Sequence, residues 1–208
     1  MKPNFDRIAR PYRWLEYLTF GKALQNCRTH FLSELHGRRN ALIIGDGDGR
    51  FTSQLLTTNP SIEVLAIDTS ATMLNLLRRR CTSNSSRLRT IQQNALDHIP
   101  SSSTDLIVTH FFLDCLSQPE LDTLINRITP NLTPGTLWVI SDFRIPEGPL
   151  RLPAKLLIRT LYLGFRLITA LRTNQLPDHT TPLIRAGLIR THQQTRLAGL
   201  LTTELWRI

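Results

Sequence analysis

Three glycines at alternate positions, Gly45, Gly47 and Gly49, follow the apolar run Ala41 to Ile44, and Asp68 closes a second apolar run, Val64 to Ile67. Without a Cβ, such glycines let the backbone turn sharply and approach a ligand closely. A buried strand, this turn and a helix from about Arg50 set the ligand at the C-terminal edge of an open α/β sheet. Asp68 stands at the same edge, at the end of the next strand. A carboxylate there is placed to accept hydrogen bonds from ribose hydroxyls. These residue types in this order point to an adenosine-type cofactor.

The glycine spacing narrows the choice. A dinucleotide turn reads GxGxxG, and its third glycine packs the following helix against the sheet. Here Gly49 comes one position early and Arg50 stands where that glycine would be. On these residues the chain resembles the class I S-adenosylmethionine-dependent methyltransferases over most of its length. The resemblance implies S-adenosyl-L-methionine as cofactor, held by Gly45, Asp46, Gly47, Gly49, Asp68, Thr69, Met73, Asn94, Ala95 and His110. It also implies a Rossmann-like, doubly wound, seven-stranded sheet with helices on both faces and a C-terminal antiparallel hairpin. Phe5 to Trp14 is loosely similar to the opening of the small-molecule ubiquinone and menaquinone enzymes. One position departs from the family: Ile43 stands where many members carry an acid for the cofactor's ammonium group. Asp46 or Asp48 is then its substitute, or both are ordinary turn formers.

Methyl transfer from a sulfonium is an in-line displacement, so positioning and exclusion of water can supply most of the catalysis. A base is needed only where the acceptor must lose a proton. His110, at the end of the strand Leu106 to Thr109, is the first candidate, with a near-neutral ordinary pKa; its alternative role is to flank the cofactor through its backbone. Asp114 is the second, to orient His110, to bind substrate or to cap a helix. Tyr12, Trp14, Tyr17 and Asp142 are candidate acceptor contacts, the aromatics equally a helix-packing stripe. His179 reads as a loop residue.

The 208 residues suit one domain: a helical lid (1–40), a cofactor core (41–146), a helical insertion or substrate cover (147–177) and a C-terminal helix and hairpin (178–208). Within it, helices are expected from about Asp6 to Leu18, Gly21 to Leu35, after a Ser70 cap, Glu120 to Ile128 and Thr180 to Gly187. Strands are expected at Leu88 to Gln92, Thr136 to Ile140, Leu188 to Arg196 and Leu200 to Ile208. Cys27, Cys81 and Cys115 form no CxxC or Cys/His pattern, so neither a disulfide framework nor a metal site is expected. Met1 to Asp6 lacks a signal-peptide apolar stretch, and the expectation is a cytoplasmic protein.

The net charge of +9 is uneven: residues 1–40 carry 8 basic and 3 acidic groups, 41–146 carry 8 and 10, and 147–208 carry 9 and 3. The positive field therefore lies on the substrate side rather than over the cofactor, or serves solubility alone. Within 147–177, leucines and isoleucines alternate with Arg151, Lys155, Arg159, Arg166 and Arg172. Three readings stay open: a substrate cover, a basic amphipathic helix on an anionic membrane through 150–172, and a packed insertion with snorkelling arginines. The expected function is methyl transfer to a small, hydrophobic or acidic acceptor. The alternative is a non-catalytic cofactor-binding or membrane-peripheral protein on the same fold. Absence of an Asn-Pro-Pro-Tyr type motif or a recognition module argues against a nucleic-acid acceptor.

Overall fold

The computed structural model describes the backbone of residues 20–169 and 175–208, and the side chains of that span outside 163–169. The expected helix from about Asp6 to Leu18, with Tyr12, Trp14 and Tyr17, lies outside the described residues, as do Arg172 and the side chain of Arg166.

Seven strands make one sheet: β1 (Asn40–Ile44), β2 (Glu63–Asp68), β3 (Leu88–Gln92), β4 (Leu106–His110), β5 (Leu137–Phe143), β6 (Ile189–Arg196) and β7 (Leu201–Arg207), in the order β3-β2-β1-β4-β5-β7-β6. The first five pair in parallel and β7 runs antiparallel between β5 and β6. This is the Rossmann-like sheet with a C-terminal hairpin. Strand order reverses between β1 and β4, and at such a switch point the connections leave to opposite faces and open a crevice at the strand C-termini.

The helices are α1 (Ala23–Arg28), α2 (Arg50–Thr58), α3 (Ala71–Arg80), α4 (Gln118–Ile128), α5 (Arg151–Thr169) and α6 (Thr180–Arg185). Phe51, Leu55 and Leu56 of α2 and Leu77 of α3 pack with Ile43 and Val108 on one face. Leu121, Leu124 and Ile125 of α4 and Leu183 of α6 pack with Leu42, Ile44 and Ile107 on the other. Alternation along β1 and β4 thus feeds two cores, as expected of strands buried on both sides.

Local chemistry sets the helix starts. The Ser70 hydroxyl accepts the Met73 N–H at 3.1 Å and caps α3. Ser117 and Glu120 form a reciprocal capping box, which starts α4 at Gln118 rather than at Glu120. The continuous helix expected from Gly21 to Leu35 is corrected: α1 stops at Arg28, and a single 3₁₀ turn, Leu32–Leu35, follows. The reason is tertiary. The Cys27 carbonyl accepts the Ser141 hydroxyl at 3.4 Å and the Thr203 hydroxyl at 3.2 Å. The same carbonyl accepts the His30 N–H at 3.2 Å, a 3₁₀ bond in place of the next α-helical one.

The helical insertion is one helix whose Ala154, Ile158 and Tyr162 pack with Leu200. Its opposite face is open: Leu152 is 77% and Leu156 68% exposed. Among the described residues, no helix is long and apolar enough to cross a membrane.

Candidate functional site

All three glycines of the turn have positive φ, from 61 to 78°, but their surroundings differ. A Cβ on Gly45 would lie 2.6 Å from the Phe112 ring, and one on Gly49 would lie 2.7 Å from the Leu77 side chain and 2.9 Å from its Cα. Those two glycines are required by the protein's own packing. At Gly47 the nearest atom would be the Met73 sulfur at 3.9 Å. The backbone of Gly47 therefore faces space that the described residues do not fill, which is where a ligand's close approach would need the absent Cβ.

The two aspartates between the glycines divide. Asp48 is engaged by Arg50 at 2.9 Å and by Arg80 at 2.7 Å, which ties the turn to the end of α3. One oxygen of Asp46 accepts the backbone N–H and hydroxyl of Thr52, at 2.9 and 2.7 Å, and so serves the first turn of α2. Its other oxygen, Oδ1, is shielded from solvent and accepts no hydrogen bond. Burial is the main force raising the Asp46 pKa, opposed by the Thr52 hydrogen bonds and the charge of Arg28. Ile43 is buried in the core.

Asp68 ends β2 half-buried, its Oδ1 accepting the Ser70 N–H at 2.8 Å. Thr69 beside it is exposed. The chain returns to this edge after β3: the Gln93 N–H donates to the Asp68 carbonyl, and Asn94 Oδ1 accepts the Leu96 N–H, with Ala95 buried behind. Gly47, Met73, Asp68, Asn94 and Ala95, far apart in the chain, thereby line one stretch of the sheet's C-terminal edge. A nucleoside-bearing cofactor fits this set through an open glycine, a carboxylate for hydroxyls and a shielded, unpaired carboxylate oxygen.

His110 is 3% exposed. Its ring stands edge-on to Phe51, with centroids 4.5 Å apart, and Nδ1 lies 2.9 Å from the Ser141 hydroxyl. Nε2 is buried without a partner. Burial, reinforced by the charge of Arg28, holds its pKa well below the usual imidazole value, so the ring is neutral at pH 7.

Asp114 and Asp142 lie together, 6% and 2% exposed. The Asp114 N–H donates to Asp142 Oδ2 at 3.1 Å and the Phe143 N–H to Asp142 Oδ1 at 2.9 Å. Burial pushes Asp114 up to about 6; burial and then the charge of Asp114 push Asp142 well above the carboxylate range. From α5, the Tyr162 hydroxyl donates to the Asp114 carbonyl at 2.9 Å. His179 sits elsewhere, 3.1 Å from Glu204.

Sequence reasoning missed Arg28, which is 6% exposed with its guanidinium 5.0 Å above the Phe111 ring. It also missed the positive φ of 54° at Phe111, which turns the chain after His110. An arginine inside an apolar helical pattern carries no signal of what it will meet. Among the described residues, no group of three or more His, Cys, Asp or Glu residues is arranged to hold a metal ion.

Residues 41–135 match the family model of a methyltransferase domain. The tRNA N(3)-cytidine methyltransferase METTL2 of Bos taurus is 28% identical over 109 residues, which cover 49% of this chain and 29% of that protein. The METTL2 protein of Mus musculus matches at 28% identity over 49% of this chain and 28% of its own length. The chain thus spans less than a third of these curated relatives. Mitomycin 7-O-methyltransferase MmcR shares the fold with a TM-score of 0.72 at 16% identity, over 98% of this chain and 60% of that one. The N-methyltransferase NodS of Bradyrhizobium japonicum does so with a TM-score of 0.64 at 18% identity, over 89% of this chain and 87% of that one.

The carboxyl pair predicts a pH dependence of stability. Asp114 has a folded pKa raised above its unfolded value, so its contribution is complete at low pH and is lost as pH rises through about 6. Asp114→Asn can still donate to Asp142 and removes this loss. Urea denaturation from about pH 4 to about pH 8 is expected to show the parent falling behind the variant by about 2 kcal/mol. Parallel pH curves would rule out the raised Asp114 pKa.

Proposed function

We propose that this chain, whose residues 41–135 match a methyltransferase-domain model and whose fold is shared with MmcR and NodS, is a class I S-adenosylmethionine-dependent methyltransferase that acts on a small, hydrophobic or acidic acceptor. The observation that carries the cofactor assignment is the contrast within the glycine turn: Gly45 and Gly49 are filled against by Phe112 and Leu77, whereas Gly47 opens on unfilled space between Met73 and the Asp46 turn. Bound there, the cofactor supplies an electrophilic methyl group on a sulfonium. Asp68 would take the ribose hydroxyls, with Thr69 beside it, and Asn94 and Ala95 the adenine. His110 flanks this edge as a neutral ring.

For the acceptor, the support comes from α5, which reaches the carboxyl pair through Tyr162. MmcR and NodS, which carry O- and N-methyltransferase names, share this fold. Where the acceptor must lose a proton, the Asp114–Asp142 pair receives it in preference to His110. A base works best with a pKa near the operating pH, and Asp114 at about 6 is closer to it than a ring held well below its usual value. Before the transfer the pair's negative charge is held by backbone N–H groups, and on taking the acceptor's proton the pair becomes neutral.

A second reading follows from the open face of α5. Leu152 and Leu156 are exposed beside Arg151, Lys155 and Arg159 at helical spacing, a pattern that suits the surface of an anionic bilayer and an apolar acceptor drawn from it. The protein would then be membrane-peripheral as well as catalytic.

Three measurements test these readings. Calorimetry should show S-adenosylmethionine binding that weakens at least about tenfold in Asp68→Ala, as expected for lost charge-assisted hydrogen bonds; no binding by the parent would end the assignment. Release of S-adenosylhomocysteine should then be screened against small phenols, quinols, amines and carboxylic acids, with tRNA alongside. Turnover with tRNA alone would replace the small-acceptor reading. With an active acceptor, Asp114→Asn should lower kcat by about 100-fold or more and abolish the acid limb of the pH–rate profile; an unchanged profile would remove the pair as base. For the second reading, vesicles containing phosphatidylglycerol should sediment the protein at low salt and release it at about 0.5 M salt, where screening reaches within a few ångströms. Equal sedimentation with neutral vesicles would contradict it.

A further inference from the structure

The methionine end of the cofactor carries an ammonium and a carboxylate, and the fold's usual partner for the first is replaced by buried Ile43. Opposite charges are nevertheless present at the glycine turn. Arg28 ends α1, and the carbonyl just before it, that of Cys27, is held by the Ser141 and Thr203 hydroxyls on β5 and β7. That anchor fixes where the arginine leaves the helix. Its guanidinium lies over Phe111, at the end of β4, and its charge acts on both Asp46 and His110. Asp46 comes from the other side, with Oδ2 committed to Thr52 and Oδ1 shielded and unpartnered.

A buried carboxylate oxygen without a donor is costly, so its retention calls for a compensating partner. Next to the aspartate in the same turn is the open backbone of Gly47. Resting on the cofactor assignment above, we infer that Arg28 and Asp46 are the amino-acid clamp of this site, Arg28 taking the cofactor's carboxylate and Asp46 its ammonium. A zwitterion meets one charge of each sign, so the site stays balanced when filled. Ile43 no longer leaves the turn incomplete: the acid has moved three residues along the chain, and a cation from α1 has joined it. The clamp also couples α1 to the cofactor, because Arg28 is the helix's last residue.

Calorimetry with two nucleosides separates this role from a structural one. S-Adenosylhomocysteine carries the amino-acid end, and 5′-methylthioadenosine has the same adenosine and thioether without it. Arg28→Met keeps an apolar stem over Phe111 and loses the charge; Asp46→Asn keeps an oxygen for Thr52. Each is expected to weaken S-adenosylhomocysteine about 10- to 100-fold, the range for a desolvated charge contact, and to change 5′-methylthioadenosine by less than about twofold. Arg28→Lys should recover part of the loss. Equal weakening of both nucleosides, or unchanged S-adenosylhomocysteine affinity, overturns the clamp. Binding of neither nucleoside by the parent instead overturns the cofactor assignment itself.

Discussion

A row of hydroxyls across the sheet is the contact on which the site's arrangement depends. His110, Ser141 and Thr203 occupy matching positions on β4, β5 and β7, and their side chains join from the imidazole Nδ1 through two hydroxyls to the Cys27 carbonyl. Buried polar groups in an apolar sheet must pair with one another. By pairing with α1 they set that helix on the C-terminal edge of the sheet and hold His110 in one orientation. Without that row, Arg28 would have no defined place beside the glycine turn.

The turn itself is a compromise between packing and ligand access. Phe112 and Leu77 press against Gly45 and Gly49 from opposite faces of the sheet, so two of the three glycines serve the protein's own density. The left-handed backbone at Phe111 brings Phe112 into that position. Such strain in a bulky residue costs about 1 to 3 kcal/mol and persists where surrounding structure enforces it. Here it is enforced by the Phe111 N–H on the Ser141 carbonyl, by Arg28 over one ring face and by Phe143, 5.6 Å away.

At the C-terminal ends of β4 and β5, the buried Asp114–Asp142 pair is held by two backbone N–H groups. Tyr162 joins the cover helix to it. The helix and the carboxyl pair are thus parts of one packed unit. The same helix shows the opposite side to solvent with leucines and cations exposed.

Much of this was legible in the sequence. Alternating glycines after Ala41–Ile44, Asp68 after a second apolar run and the paired strands at the C-terminus announced a doubly wound sheet with a hairpin, because apolar periodicity and turn residues are local signals. The Ser70 cap and the position of Asn94 were readable for the same reason. What the sequence left open were contacts between distant segments. It offered Asp46 and Asp48 as equals, and only packing committed Asp48 to Arg50 and Arg80 while leaving Asp46 Oδ1 unpaired. It offered His110 as the first candidate base on its ordinary pKa, beside a role flanking the cofactor through its backbone, and burial against Phe51 and the charge of Arg28 lowered that pKa. It ran the second helix through to Leu35, because nothing local says that Cys27 will give its carbonyl to strands more than a hundred residues away. Local order is written in spacing; pairing, charge state and the reach of Arg28 arise only where the fold removes water and brings remote groups together.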